Sequence, residues 1–329
     1  MELLVLGGTH HVGRCVVEAA LARGWSVTTL NRGLTPIAFN GATTLIADRT
    51  VPGALDEVVG DRVWDAVIDT WSGPPAVVAA SASALAGRAG HYGYVSSRSV
   101  YTWPIAPGLD ETGPVVEGDP TSEDEPDYAK CKRGAELAVL EAFGDRGLLA
   151  RAGLILGPYE MIGRLPWWLR RLSRGGPTLA PGPVDRPLQY IDGRDLAVWM
   201  LDAAEAGLGG PFDTVSRPGH TTMGELLAVA RDVTGGQASL VWVEPEVIES
   251  HGIEAWTELP IWLPPEGEAA GLHSGNTGKV HAAGLVCRPI GSTVRDTWSW
   301  LVEAGDPESV TAGRVGLDPA KEAAVLAAL

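Results

Sequence analysis

Tyr128 and Lys132, four residues apart in the run Tyr-Ala-Lys-Cys-Lys, have the clearest chemical potential in this 329-residue sequence. On a helix that spacing puts phenol and ammonium on one face. A neighbouring cation stabilises the phenolate and is expected to draw the tyrosine pKa down from about 10 toward working pH. A tyrosine so tuned can exchange a proton with a carbonyl/alcohol pair. With six tyrosines and four lysines in the chain, a chance Tyr-x-x-x-Lys has a probability of only roughly 0.07; the bland alternative is a surface helix pair. A second set of reactive types, Ser96-Ser97-Arg98-Ser99, follows the apolar run His91 to Val95. A serine hydroxyl at the carboxyl end of a strand can hydrogen-bond a substrate oxygen and polarise it.

Both sets need a partner for redox chemistry, and the amino terminus offers one. The apolar run Leu3-Leu4-Val5-Leu6 leads straight into Gly7-Gly8-Thr9-His10-His11-Val12-Gly13 and then a helical pattern. Such a turn aims backbone N–H groups and a helix amino end at a pyrophosphate, and glycines let the backbone come close. The loop matches a dinucleotide-binding Rossmann turn in which His10 stands in place of the middle glycine, so Gly7, Thr9, His10, His11, Val12 and Gly13 are candidate cofactor ligands. The second strand ends at Asn31-Arg32, where an NAD-preferring protein would place an acid. Arg32 can instead pair with a 2′-phosphate, which favours NADP(H) over NAD(H). Asp48 is placed to meet the adenine edge, and Thr70 and Trp71 end a fourth strand beside the expected cofactor path.

The elements that must position these residues read as an alternation of short apolar runs and helical stretches, the pattern of a doubly wound parallel α/β sheet. Strands are expected at about 2 to 6, 26 to 30, 43 to 46, 64 to 69, 92 to 96 and 148 to 152. Helices are expected over Val12 to Arg23, Pro74 to Ala86 and Asp127 to Phe143. Residues 104–126, rich in Pro, Gly and acids, predict a long surface loop of the kind that often serves function. Trp167-Trp168 predict a basic amphipathic helix, and residues 188–206 a strand and helix. The resulting division is a Rossmann domain over 1–156 plus 187–220 and a smaller substrate-binding lobe over 157–186 plus 221–329. Trp103, Trp167 and Trp168 hint at an apolar or ring-shaped substrate; Trp242, Trp256, Trp262, Trp298 and Trp300 read chiefly as core, with pocket lining as the alternative.

Composition bounds the function. A net charge of -16 repels phosphate backbones, so nucleic acid is not an expected partner. The three cysteines, Cys15, Cys131 and Cys287, lie too far apart for a metal clip or a disulfide framework, which fits a reducing compartment. No leader pattern or long apolar span is seen, so a cytoplasmic location is expected, away from membranes.

Together the loop Gly7 to Gly13, Ser96-Ser97 with Val100-Tyr101, Tyr128 with Lys132, Arg151 through Gly157-Pro158-Tyr159, and Tyr190-Ile191-Asp192 before Asp195-Leu196-Ala197 resemble the short-chain dehydrogenase/reductase superfamily in its extended or atypical branch, the NAD-dependent epimerase/dehydratase family. The resemblance spans residue 2 to about 206. It implies Tyr128 as general acid/base, Lys132 as the residue that holds the nicotinamide ribose and tunes Tyr128, Ser97 as the residue that orients the substrate oxygen, and Gly153 and Leu154 near the nicotinamide. It also implies pairing of two chains through helices flanking the catalytic strand. Arg98-Ser99 stand where sugar dehydratases of the family tend to carry Asp-Glu, which disfavours dehydration. The leading expectation is an NADP(H)-dependent reductase of a carbonyl or imine. The alternatives are a nucleotide-sugar epimerase with tightly held NAD and a non-catalytic dinucleotide-binding protein.

Overall fold

The computed structural model describes every residue except 36, 38, 125, 126 and 305–314; the end of the expected long loop and part of the expected smaller lobe lie outside the described residues. In chain order the first half holds β1 (Glu2–Leu6), α1 (His11–Ala22), β2 (Ser26–Asn31), β3 (Ala42–Ile46), α2 (Ala54–Val59), β4 (Trp64–Asp69), α3 (Pro75–Leu85), β5 (Ala89–Ser97), α4 (Tyr128–Phe143) and β6 (Gly147–Ala152). The second half holds β7 (Leu154–Leu156), α5 (Arg164–Ser173), β8 (Gly176–Pro181), β9 (Pro187–Leu188), β10 (Tyr190–Asp192), α6 (Gly193–Glu205), β11 (Gly210–Thr214), β12 (Thr221–Thr222), α7 (Met223–Val233), β13 (Ala238–Val243), α8 (Pro245–Ser250), α9 (Gly278–Ala282), α10 (Ile290–Glu303) and α11 (Pro319–Ala328).

The central sheet has seven strands in the order β3-β2-β1-β4-β5-β6-β11, and every pairing in it is parallel. The uninterrupted apolar run of β1 has its physical reason here: Leu3 to Leu6 are fully buried because helices cover both faces. One face packs Leu3 and Val5 against Val12, Val16, Leu196 and Met200 of α1 and α6. The other packs Leu4 and Leu6 with Val78, Leu85, Ala135 and Val139 of α3 and α4. The strand order reverses between β1 and β4, and the groove outside their carboxyl ends is where an open α/β sheet receives a ligand.

The sequence reading contains six of these strands and lacks β11. That strand begins Gly210-Pro211 and has only five residues, a pattern that reads as a turn. A proline is tolerated there because β11 is an edge strand. A third core gathers Trp168, Leu172, Tyr190, Met223, Leu227, Trp262 and Val294 from the segments after β6. It fixes α5 and the loop around residue 256 over the carboxyl end of the sheet. Among the described residues no helix is long and apolar enough to cross a membrane.

Candidate active site

The first turn of α1 leaves its backbone donors uncapped. His10 at the N-cap makes no side-chain bond to the helix amides, and the turn contains no acid, so the amide N–H groups and the positive helix end remain open to an anion. Close packing of glycine forms the cradle. Gly7 has a φ of +116°, and a Cβ there would clash with the Thr70 hydroxyl; a Cβ on Gly13 would lie 2.6 Å from the Gly8 nitrogen. Around this turn runs a cleft of about 440 Å³ lined by Gly7, Thr9, His10, His11, Val12, Gly13, Asn31, Arg32, Asp48, Thr70, Trp71, Tyr128 and Lys132. These groups suit a dinucleotide: donors for its pyrophosphate, and polar ends of β2 and β3 for its adenosine half.

Several of these side chains are held in place by their neighbours. The Asn31 Oδ1 accepts from the Gly33 amide at 2.9 Å, and Asp48 Oδ1 accepts from the Thr50 amide at 3.0 Å and its hydroxyl at 2.7 Å. Those bonds, with the Arg32 charge nearby, keep the Asp48 carboxyl below its usual pKa. His10 Nε2 lies 3.1 Å from Thr35 Oγ1, joining the glycine turn to the segment after β2. The sequence reading missed Arg49, which also lines the cleft. Its guanidinium forms a two-pronged pair with buried Asp69, at 2.9 and 2.8 Å, and Tyr92 donates to the same carboxylate at 2.7 Å. Its position beside Asp48 is the only hint the sequence holds.

A second cavity of about 490 Å³ opens from the first, and His11, Ser72, Tyr128 and Ile155 line both. Ser97, Gly153, Leu154, Arg98, Arg164, Gln189, Trp256 and His273 complete it. Gly153 and Leu154 thus border the second cavity and not the first. Asp127 sets the position of the tyrosine: its side chain accepts from the Lys130 amide at 2.9 Å, capping α4 so that Tyr128 is the first helical residue. Ser97 ends β5 and lines this cavity with Tyr128; its hydroxyl lies 3.1 Å from Ser99 Oγ.

Lys132 is buried beneath them. Its Nζ donates to the Trp71 carbonyl at 2.7 Å and the Val95 carbonyl at 2.8 Å, which leaves one of three N–H donors free. Here the electrostatic expectation needs correction. Lys132 Nζ stands 5.9 Å from the centre of the Tyr128 ring. Partial burial instead pushes Tyr128 upward, opposed by the Ser97 hydroxyl and the Arg164 charge. Burial also drives Lys132 down to about 8, against the pull of Asp69 and Glu136. Arg164, contributed from another part of the chain, adds a second positive charge that acts on the phenol.

Beneath β5 lies a charged layer. Glu136 of α4 is fully buried, accepts from Ser96 at 2.7 Å, and pairs with Arg151 at 2.8 and 2.9 Å and with Arg133 at 2.9 Å. Tyr101 donates to Asp213 at 2.7 Å, and Arg98 Nε lies 3.3 Å from the same carboxylate. Burial pushes Asp213 up to about 6. Of the tryptophans, Trp256 lines the second cavity. Trp103, Trp167 and Trp168 line neither: Trp103 is exposed, while Trp168 is wholly buried and donates to the Pro260 carbonyl at 2.7 Å. An amphipathic helix buries one aromatic of an adjacent pair, and here the buried one faces the third core. The described part of the 104–126 loop lines neither cavity; its Glu111 accepts from the Asp213 amide at 2.8 Å, bracing β11.

The profile of the NAD dependent epimerase/dehydratase family matches residues 3–213. The chain is 26% identical to a 2'-dehydrokanamycin reductase from Streptomyces kanamyceticus, over an alignment that takes in 84% of this chain and 88% of that protein. Its fold is similar to that of the Bordetella bronchiseptica enzyme WbmH in complex with NAD+, with a TM-score of 0.67 and 17% identity, covering 92% of this chain and 99% of that one. It is also similar to UDP-glucuronic acid 4-epimerase from Bacillus cereus in complex with NAD, at a TM-score of 0.66 and 12% identity over 92% and 99% of the two chains. With the glycine turn, the parallel seven-stranded sheet and the family match over most of the chain all in agreement, this protein belongs to the NAD dependent epimerase/dehydratase family.

Proposed function

We propose that the protein is an NADP(H)-dependent reductase of a carbonyl on a small, ring-shaped molecule. The observation that carries this reading is the meeting of the two cavities at Tyr128, with Ser97 lining the second of them. Gly7 to Gly13 and the uncapped end of α1 would hold the pyrophosphate, Asp48 the adenine edge, Arg32 a 2′-phosphate, and Lys132 the nicotinamide ribose. The reduced dinucleotide, when bound, supplies a hydride. Ser97 hydrogen-bonds the substrate oxygen and polarises the carbonyl; Tyr128 then gives that oxygen its proton as the carbon is reduced. The phenolate left behind is stabilised by Arg164 and Lys132 and is reprotonated from water. The exposed position of Arg32 beside the cleft supports the phosphorylated cofactor, and the reductase named among the relatives supports the direction of the reaction.

The test is energy transfer from tryptophan to bound NADPH or NADH, in wild type and Arg32→Ala, followed by NADPH oxidation with cyclic ketones in wild type and Tyr128→Phe. The expected results are tighter NADPH than NADH binding, loss of that preference in Arg32→Ala, and at least a roughly 100-fold lower rate in Tyr128→Phe. NAD that stays bound through purification, with no net oxidation of NADPH, would replace this reading with an epimerase. Binding of neither cofactor would end it.

A further inference from the structure

The second cavity has cations in its wall and, among its lining residues, no carboxylate. Arg164 begins α5, and its guanidinium stands 5.0 Å over the Trp256 ring. Its Nε is buried and has no hydrogen-bond partner among the described residues. The nearest acid, Glu160, is spent elsewhere: its two oxygens accept from the backbone amides of Arg164 and Leu165 at 2.8 and 3.2 Å. Behind Arg164 in the same wall, Arg98 is 2% exposed. It gives one N–H to the Leu272 carbonyl at 2.8 Å and its Nε pairs with the Asp213 carboxylate at 3.3 Å, while its Nη2 lacks a hydrogen bond among the described residues. His273 adds no negative charge; its Nδ1 accepts from the Gln189 amide and its Nε2 faces the Ile261 carbonyl.

The wall is also built to hold its shape. Trp256 adopts a left-handed φ of 69°, which a bulky residue keeps only where its surroundings impose it. The bond from its amide to the Trp262 carbonyl, at 3.1 Å, ties it to the third core. A guanidinium laid on an indole and short of acceptors is a planar fork for a carboxylate or phosphate. The net charge of -16 repels anions at long range, but beyond a screening length of about 8 Å in physiological salt that field is weak. Local cations therefore decide what enters.

We propose that the substrate is a ring compound with an anionic group, carboxylate or phosphate, seated against Arg164 on the Trp256 wall while its reacting carbon lies at Tyr128 and Ser97. The proposal rests on the reading of Tyr128 as the proton donor and adds the charge class of the substrate. A positively charged amine in the same place would face the Arg164 guanidinium with no acid among the lining residues to receive it.

The experiment measures binding without turnover. Protein saturated with NADP+ is titrated with glucuronate, glucose 6-phosphate, glucose and glucosamine, as analogues of an alcohol product, and read by tryptophan fluorescence. Wild type, Arg164→Gln and Arg164→Lys are compared. The expected result is at least tenfold tighter binding of glucuronate or glucose 6-phosphate than of glucose, and weaker binding still of glucosamine. That preference should shrink below threefold in Arg164→Gln and return in part in Arg164→Lys. The tighter of the two anions identifies carboxylate or phosphate as the group. Equal binding of all four sugars, binding of none, a preference for glucosamine, or a full anion preference in Arg164→Gln overturns the proposal. Arg164-dependent anion binding in a protein that never oxidises NADPH would leave this inference standing and remove the reductase reading.

Discussion

Substituting Gly13 with alanine tests the cofactor cradle at its tightest point. The new methyl would lie 2.6 Å from the Gly8 nitrogen and 3.0 Å from its Cα, where ordinary van der Waals contact begins at 3.4 Å. Both neighbours are backbone of the turn itself, so no side chain can swing away. Either α1 or the turn must retreat by several tenths of an ångström, and the amide donors aimed at the pyrophosphate move with it. Overpacking of this kind costs about 1–3 kcal/mol. If that cost falls on the bound form, NADPH affinity drops roughly 5- to 150-fold. The assay is NADPH titration by tryptophan energy transfer, with thermal unfolding to confirm that the variant folds. Gly87→Ala serves as control, because a Cβ there meets nothing within 4 Å and the residue's φ is not left-handed. A folded Gly13→Ala protein with NADPH affinity within twofold of wild type would refute the argument that close backbone approach builds this site.

Glu136→Ala should cost about 3–5 kcal/mol in urea unfolding, because it leaves buried Arg151 without its counter-charge; a loss below about 1 kcal/mol would mean that the charged layer under β5 is not a structural unit. Glu160 is fully buried, and burial raises its pKa to about 7 from 4.5. The folded state thus holds a proton that the unfolded state has released, and the stability this contributes is complete below pH 4.5 and is lost as pH rises through about 7. Glu160→Gln should therefore gain on wild type between those limits, by up to about 1.4 kcal/mol per pH unit. Urea unfolding at pH 4.5 and pH 8 measures the change, and an identical difference at both values would show that the carboxyl is not held neutral.

The parts of the site legible in the sequence are those whose chemistry is local. Gly7 to Gly13 follow a buried strand and open a helix, and Tyr128 and Lys132 share one turn of α4, so their mutual placement is a matter of a few consecutive dihedral angles. β1, β4 and β6 announce themselves as apolar runs because helices cover both faces. Hidden features depend on segments distant in the chain. Arg49 pairs with Asp69 and Arg164 faces Tyr128, and nothing in their sequence neighbourhoods marks either contact. The tryptophans make the same point: the pair at 167 and 168 looked like pocket material, but packing turned Trp168 into the core and gave the cavity Trp256, 92 residues from Arg164's Glu160-bound turn.

By itself the sequence determined the α/β class, the order of the first six strands, the glycine turn for a dinucleotide and the candidate proton donor with its lysine. Each of these follows from period, turn chemistry or helical spacing, which act over at most a few turns of chain. Only the tertiary structure decided what surrounds Tyr128. It showed that Lys132 donates to the Trp71 and Val95 carbonyls, that burial raises the Tyr128 pKa, and that an arginine from α5 adds a charge opposing that rise. The reason is physical: desolvation and Coulomb attraction depend on what lies within a few ångströms in space, and packing brings together residues that the chain keeps far apart.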